Sequence, residues 1–322
     1  MTVAWGILST ARINDLVLDG ARRASGVEIL AVASRDRGRA EAYANDRGIP
    51  RAYGSYDELL ADGDIEAIYN PLPNSLHVPW SLRALEAGKH VLCEKPLTRR
   101  PHEADRVFDA AEHAGRVVME AFMYRHNPQT LSAQELVQGG VIGRVRLIRS
   151  HFSFTVTHPN DARLEAEYDG GSLMDVGCYP VSTARLLAGE PERVYGEQVT
   201  NESGVDVRFT GTMRFADGVV AHFDSALDLP SRHEVEVVGD EGSLLIPDPW
   251  IIAQPGIIVR RGGDVEEISI ERVSSYRLEL ESLSAAIRGL AEPLLNRADA
   301  LGQARAIEAL YRSAENGQPA EF

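Results

Sequence analysis

From Thr2 to Glu120 the chain alternates short, continuously apolar runs with stretches of helical apolar spacing, and few folds accept that order. Runs at Thr2–Leu8, Glu28–Ala33, Ala67–Asn70, His90–Cys93 and Val117–Glu120 read as buried strands. Between them, Arg12–Ala24, Arg37–Arg47, a short Tyr56–Leu60, Ser75–Ala87 and His102–Ala114 read as helices. A regular βα repeat of this length predicts a parallel sheet with helices on both faces, an α/β architecture that places ligands beyond the carboxyl ends of its strands.

The turn after the first run reads as a modified dinucleotide fingerprint. Gly6 takes the first glycine position, Leu8 replaces the second and Ala11 takes the third. Ser9 and Thr10 offer hydroxyls to a pyrophosphate, and Arg12 and Ile13 open the helix. The second strand ends in Ser34-Arg35, where an NAD site would carry an acid for the ribose 2′-hydroxyl. A carboxylate would repel a 2′-phosphate, whereas a hydroxyl and a guanidinium bind one, and Arg39 adds a second charge. This predicts NADP rather than NAD, against the plainer reading of Arg35 as an exposed helix-start arginine. Two further strand exits, Asn70-Pro71-Leu72-Pro73-Asn74-Ser75-Leu76-His77 and Glu94-Lys95-Pro96, carry polar groups where such sheets bind ligands.

After Arg125 the pattern changes to alternating stretches at Arg146–Val156, Val205–Phe215, Val219–Leu227 and His233–Val238, with turns at Ala216–Gly218 and Gly239–Gly242. They predict an antiparallel meander with one buried face, covered by the helix containing Val181–Ala188. Two amphipathic helices, Ser274–Gly289 and Asp299–Asn316, close the chain. The expected division is residues 1–123 and 124–322, with the terminal helices free to pack back on the first domain. Within Gly170–Pro180, Asp175 and Tyr179 are four residues apart, so a helix would put both on one face, with Pro180 an awkward interior residue. The alternative is a helix-start acid and a core tyrosine.

Together these strings resemble the glucose-fructose oxidoreductase / inositol dehydrogenase / MocA family, and the resemblance covers essentially the whole chain. Its carriers are the modified glycine turn, Pro71–His77, Glu94-Lys95-Pro96 and Gly170-Gly171…Asp175-x-Gly177-x-Tyr179. The opening Trp5–Ile13 and the Asp175…Tyr179 pairing are most similar to NADP-dependent D-xylose 1-dehydrogenases and dimeric trans-dihydrodiol dehydrogenases. Many family members carry His at the position of Tyr179, which weighs against an inositol substrate. The resemblance implies a Rossmann dinucleotide domain followed by an open, mostly antiparallel sheet. It also implies hydride transfer between a sugar or polyol carbon and NADP. Cofactor contacts would come from Gly6, Ser9, Thr10, Ala11, Arg12, Ile13, Ser34, Arg35, Arg39, Pro71, Leu72, Asn74, His77, Glu94, Lys95 and Pro96. Tyr179 would be the acid/base, Lys95 would lower its pKa from the usual value near 10 and bind the reacting oxygen, and Asp175 would orient Lys95 or substrate. Arg163, in the loop His158–Tyr168, would contact substrate hydroxyls, unless it is a surface arginine.

Composition narrows the partners. A formal net charge of −15 argues against nucleic acid and anionic membranes. Two cysteines, Cys93 and Cys178, are too few for a disulfide framework, and no histidine or acid spacing suggests a metal. The amino terminus has no basic segment followed by a long apolar one, and no run of 18 uncharged apolar residues occurs. A cytoplasmic enzyme is expected, forming a homodimer or homotetramer through its open sheet. The alternatives are an NADPH-dependent keto-sugar or anhydrosugar reductase and a catalytically silent dinucleotide sensor.

Overall fold

The computed structural model describes residues 2–158 and 160–322, so Met1 and Pro159 lie outside the described residues. The chain forms two compact units, one made of the residues up to His126 with Ser274–Leu301, the other of Asn127–Val273 with Gly302–Phe322.

In the first unit β1 (Val3–Leu8), β2 (Val27–Ala33), β3 (Arg51–Tyr53), β4 (Ala67–Asn70), β5 (His90–Glu94) and β6 (Val118–Ala121) form one parallel sheet, in the order β3-β2-β1-β4-β5-β6. The connecting helices are α1 (Asn14–Arg23), α2 (Arg37–Arg47), α3 (Tyr56–Leu60), α4 (His77–Glu86) and α5 (Pro101–Ala114). Central strands covered on both faces need apolar residues at consecutive positions, and in β1 all but Ala4 are fully buried. Each large side chain there, such as Ile7, contributes roughly 1.5–3 kcal/mol by leaving water. β3 is three residues long, too short for a periodicity to show in the sequence.

The second unit holds α6 (Pro128–Gln138), α7 (Cys178–Ala188) and nine strands. These are β7 (Val145–Thr155), β8 (Arg193–Thr200), β9 (Asp206–Arg214), β10 (Val220–Ala226), β11 (Asp228–Gly239), β12 (Gly242–Ile246), β13 (Gly256–Arg261), β14 (Asp264–Ser269) and β15 (Ala320–Glu321). Their order is β14-β13-β12-β11-β7-β10-β9-β8-β15. The sheet departs from a simple meander at two places, one of them β15, which pairs with β8 at the edge opposite β14. The other is β7, which lies between β10 and β11 and runs parallel to β10, because a long connection carrying α7 separates β7 from the next strand. The Asp217-Gly218 turn has both residues at positive φ, 57° and 76°, as a tight hairpin requires. Phe209 and Met213 are buried on one face of β9, and Val205 just before the strand and Phe215 just after it are buried as well.

Two last helices follow, α8 (Ser275–Ile287) in the first unit and α9 (Arg297–Asn316), which begins in the first unit and continues in the second. α8 is tied to the parallel sheet by Arg288, which donates to Glu66 at 2.6 and 2.7 Å and to the Thr2 carbonyl at 2.5 Å. Within the second unit, Tyr311 of α9 meets Phe209 edge-on at 5.7 Å, and Ser313 Oγ accepts the Gly196 N–H. Both cysteines are buried, and they form no disulfide among the described residues.

Candidate active site

The turn after β1 lies three residues later than the sequence suggests. Gly6 sits inside the strand, and a Cβ there would come 2.7 Å from Leu59 Cδ2, so this glycine serves packing and not the turn. The bend falls at Ser9, whose φ of 81° is a conformation glycine adopts most easily. The spacing Ser9-x-Ala11-x-x-Asn14 therefore occupies the fingerprint register. Asn14, which sequence reasoning missed, is buried and its Nδ2 donates to the Ser9 carbonyl at 3.0 Å. Ser9 thus supplies the bend, and its hydroxyl is buried without a partner among the described residues. The N–H groups of Thr10, Ala11, Arg12 and Ile13 find no acceptor among the described residues. They precede a ten-residue helix, and that donor set with the helix dipole suits a pyrophosphate.

At the end of β2, Ser34 is buried and its Oγ accepts the Asp36 N–H at 3.4 Å. Arg35 and Arg39 are exposed, and neither forms an ion pair among the described residues. Both lie near the Tyr56 phenol, whose pKa burial raises and these cations partly lower. The one acid in the segment, Asp36, is committed to the start of α2, where it accepts the Arg39 N–H at 2.6 Å. Arg37 is held by Glu58 at 2.5 Å. What remains is a hydroxyl and two unpaired guanidiniums, the chemistry of a 2′-phosphate site.

The exits of β4 and β5 are fastened to each other. His77, only 1% exposed, has Nδ1 2.8 Å from the Pro96 carbonyl oxygen and Nε2 2.7 Å from that of Leu72. Both ring nitrogens are thus engaged by backbone, so His77 fastens the two strand exits together. Asn70 Nδ2 reaches the His77 carbonyl at 3.1 Å and Ser81 Oγ at 3.3 Å. Pro71, Leu72 and Pro96 are buried, while Asn74 and Lys95 are half-buried. The Lys95–Pro96 bond is cis. Glu94 Oε1 accepts the Tyr69 hydroxyl at 2.6 Å, and Oε2 faces the Lys95 N–H at 3.3 Å. Burial pushes the Tyr69 phenol well up, reinforced by Glu94, so Tyr69 is the donor. Glu279 of α8 is 1% exposed, and burial with the charge of Glu94 pushes its carboxyl well up.

In the second unit Asp175 lies in a π-helical turn, Leu173–Gly177, and Tyr179 in the first turn of α7. No single α-helical turn relates them, which corrects the simple four-residue spacing. Pro180 comes just after the π-helical turn, in a segment already helical from Ser172, so the irregular turn, and not a helix start, accompanies the proline. The segment is anchored by Asp206, whose Oδ2 accepts Ser172 Oγ and the Leu173 N–H, both at 2.7 Å. Its Oδ1 accepts the Tyr311 hydroxyl at 2.7 Å. The ring of Tyr179 is 7% exposed against Phe152 (5.5 Å) and Trp250 (5.9 Å). Phe152 and Trp250 stack on each other at 5.0 Å, and Trp250 Nε1 donates to Thr183. Arg163 is neither a free substrate ligand nor a plain surface residue. Its Nε and Nη2 both donate to Asp161 at 2.8 Å, and its Nη1 lies 3.5 Å from Asp175. These carboxylates raise its pKa further. Asp161, Asp206 and Trp250 gave no signal in the sequence, because their partners lie far along the chain or within an irregular loop.

The strand order, the donor-lined turn and the polar strand exits define a nucleotide-dependent oxidoreductase with an NAD(P)-binding Rossmann domain. The chain belongs to the GFO/IDH/MocA family. The model of the oxidoreductase family with an NAD-binding Rossmann fold matches residues 5–122, and that of the GFO/IDH/MocA C-terminal domain matches residues 130–245. The chain is 41% identical to D-xylose 1-dehydrogenase (NADP(+)) 2 of Haloferax volcanii over 99% of both sequences. Among solved structures it is similar to the aldose-aldose oxidoreductase of Caulobacter crescentus in complex with glycerol (TM-score 0.93, 27% identity, all of both chains). It is also similar to a 3-ketoreductase of Actinomadura kijaniata in complex with NADP and TDP-benzene (TM-score 0.92, 28% identity, 97% of this chain and 98% of that one).

Proposed function

We propose that the protein is an NADP-dependent sugar dehydrogenase that oxidises the anomeric carbon of an aldose of the D-xylose type. The observation that carries the cofactor choice is the pair of unpaired guanidiniums, Arg35 and Arg39, beside a carboxylate already spent on a helix start. The 41% identity to a D-xylose 1-dehydrogenase supports the substrate class.

When bound, NADP supplies the hydride acceptor. Arg35, Arg39 and Ser34 hold its 2′-phosphate, and the N–H groups of Thr10–Ile13 hold its pyrophosphate. The phenolic oxygen of Tyr179 takes the hydroxyl proton of the sugar as hydride leaves the adjacent carbon. Lys95 hydrogen-bonds the reacting oxygen and favours the phenolate, and Asp175 orients the substrate. Run in reverse, the same groups reduce a keto-sugar with NADPH, a reading favoured by the likeness to the 3-ketoreductase. The enzyme acts in the cytoplasm as a homodimer or homotetramer joined through the nine-stranded sheet. Assays of D-xylose, D-glucose and keto-sugars with NADP, NAD and their reduced forms test this. Turnover of an aldose with NADP supports the proposal, and absence of turnover with every sugar in both directions refutes it.

A further inference from the structure

We infer that Asp161 is a specificity residue: by neutralising Arg163 beside Asp175, it makes the enzyme select uncharged sugars over anionic ones. The inference rests on the reading of Asp175 as a substrate-orienting group. A lone arginine next to such a group would attract a sugar phosphate or uronate through its forked donors. Here the fork is closed. Two of its nitrogens bind Asp161 in a bidentate pair at 2.8 Å, and the third faces Asp175 at 3.5 Å. The guanidinium lies 5.0 Å over the Phe154 ring, which covers its face. The backbone holds it there as well, since the Arg163 carbonyl accepts the Gly171 N–H at 2.8 Å.

Three charges in one cluster, two negative and one positive, leave a net −1. The surroundings deepen it. Residues 158–175 contain five acids (Asp161, Glu165, Glu167, Asp169, Asp175) and one arginine, a net of −4 with His158 neutral. An anionic substrate meets repulsion where the family chemistry needs close approach, while hydroxyls find carboxylate acceptors.

The test compares kcat/KM for D-glucose and D-glucuronate, which share a ring and differ in charge. The unmutated enzyme should prefer the neutral sugar by about tenfold or more, and added salt should narrow the ratio through screening. Asp161→Asn keeps the size and removes the charge, so the ratio should fall at least about threefold while NADP affinity stays unchanged. An unchanged ratio in an active Asp161→Asn enzyme overturns the inference and leaves the proposed function intact. Should that variant fail to fold, a salt-insensitive ratio near one in the unmutated enzyme overturns it equally. No turnover of any sugar overturns the proposed function, and this inference with it.

Discussion

Gly171 and Asp206 fit so closely that a single methyl group would part them. A Cβ on Gly171, at φ 125°, would stand 2.2 Å from Asp206 Oδ1 and 3.0 Å from the Tyr311 hydroxyl. Asp206 is 2% exposed and holds three donors, so it has no room to withdraw. Gly171→Ala should therefore cost about 2–4 kcal/mol, from a conformation that L side chains avoid plus a broken buried network. Urea unfolding of the variant measures it, and a loss below about 0.5 kcal/mol, the range of ordinary surface changes, would show the network to be slack.

Asp206 also makes a pH signature. Burial raises its carboxyl above the ordinary value of 3.8, against the pull of Ser172, Leu173 and Tyr311. The folded state then binds a proton that the unfolded chain releases. This contribution to stability is complete below pH 3.8 and is lost as pH rises through the raised folded value. Asp206→Asn cannot ionise, so its stability relative to the unmutated protein should climb as pH increases over that window. Denaturant midpoints taken along a pH series decide the matter, and a flat difference contradicts the assignment.

The first domain was legible because its signal is local. Each strand is a continuous apolar run and each helix has its own periodicity, so order and sheet type followed without any long-range contact. The fingerprint register was misread because Gly6 is the only glycine near the turn, and a glycine buried for packing looks the same in sequence as one needed for a bend. Short edge strands such as β3 and β15 bury too little to leave a pattern. That His77 fastens two loops was not legible either, since a histidine at a strand exit fits a ligand as well as a loop fastener. The Asp161–Arg163–Asp175 cluster and the Asp206 anchor join residues from irregular segments, where no period predicts who meets whom.

Cofactor choice should rest on the charge at the end of β2. Arg35→Ala is expected to weaken NADP binding by about 1–3 kcal/mol, roughly 5- to 150-fold, and to leave NAD binding nearly unchanged. Fluorescence titration with both cofactors reads this directly. Equal losses for NADP and NAD would mean that Arg35 supports the loop and does not hold a 2′-phosphate.

Lys95 and Tyr179 should separate chemistry from binding. Lys95→Ala and Tyr179→Phe should each lower kcat by roughly 10²–10⁴, the usual range for acid/base groups, with NADP affinity kept. Single-turnover rates beside cofactor titrations make the comparison. A variant retaining more than about a tenth of the turnover would remove that residue from the chemical step.

The most direct measurement is the initial rate of nicotinamide reduction by the unmutated enzyme with D-xylose, taken with NADP and with NAD across a range of concentrations. The account predicts reduction of NADP, with kcat/KM for NADP exceeding that for NAD by roughly tenfold or more, as expected if the two unpaired guanidiniums after β2 bind the 2′-phosphate. Equal or better use of NAD, in an enzyme that does oxidise the sugar, would contradict it.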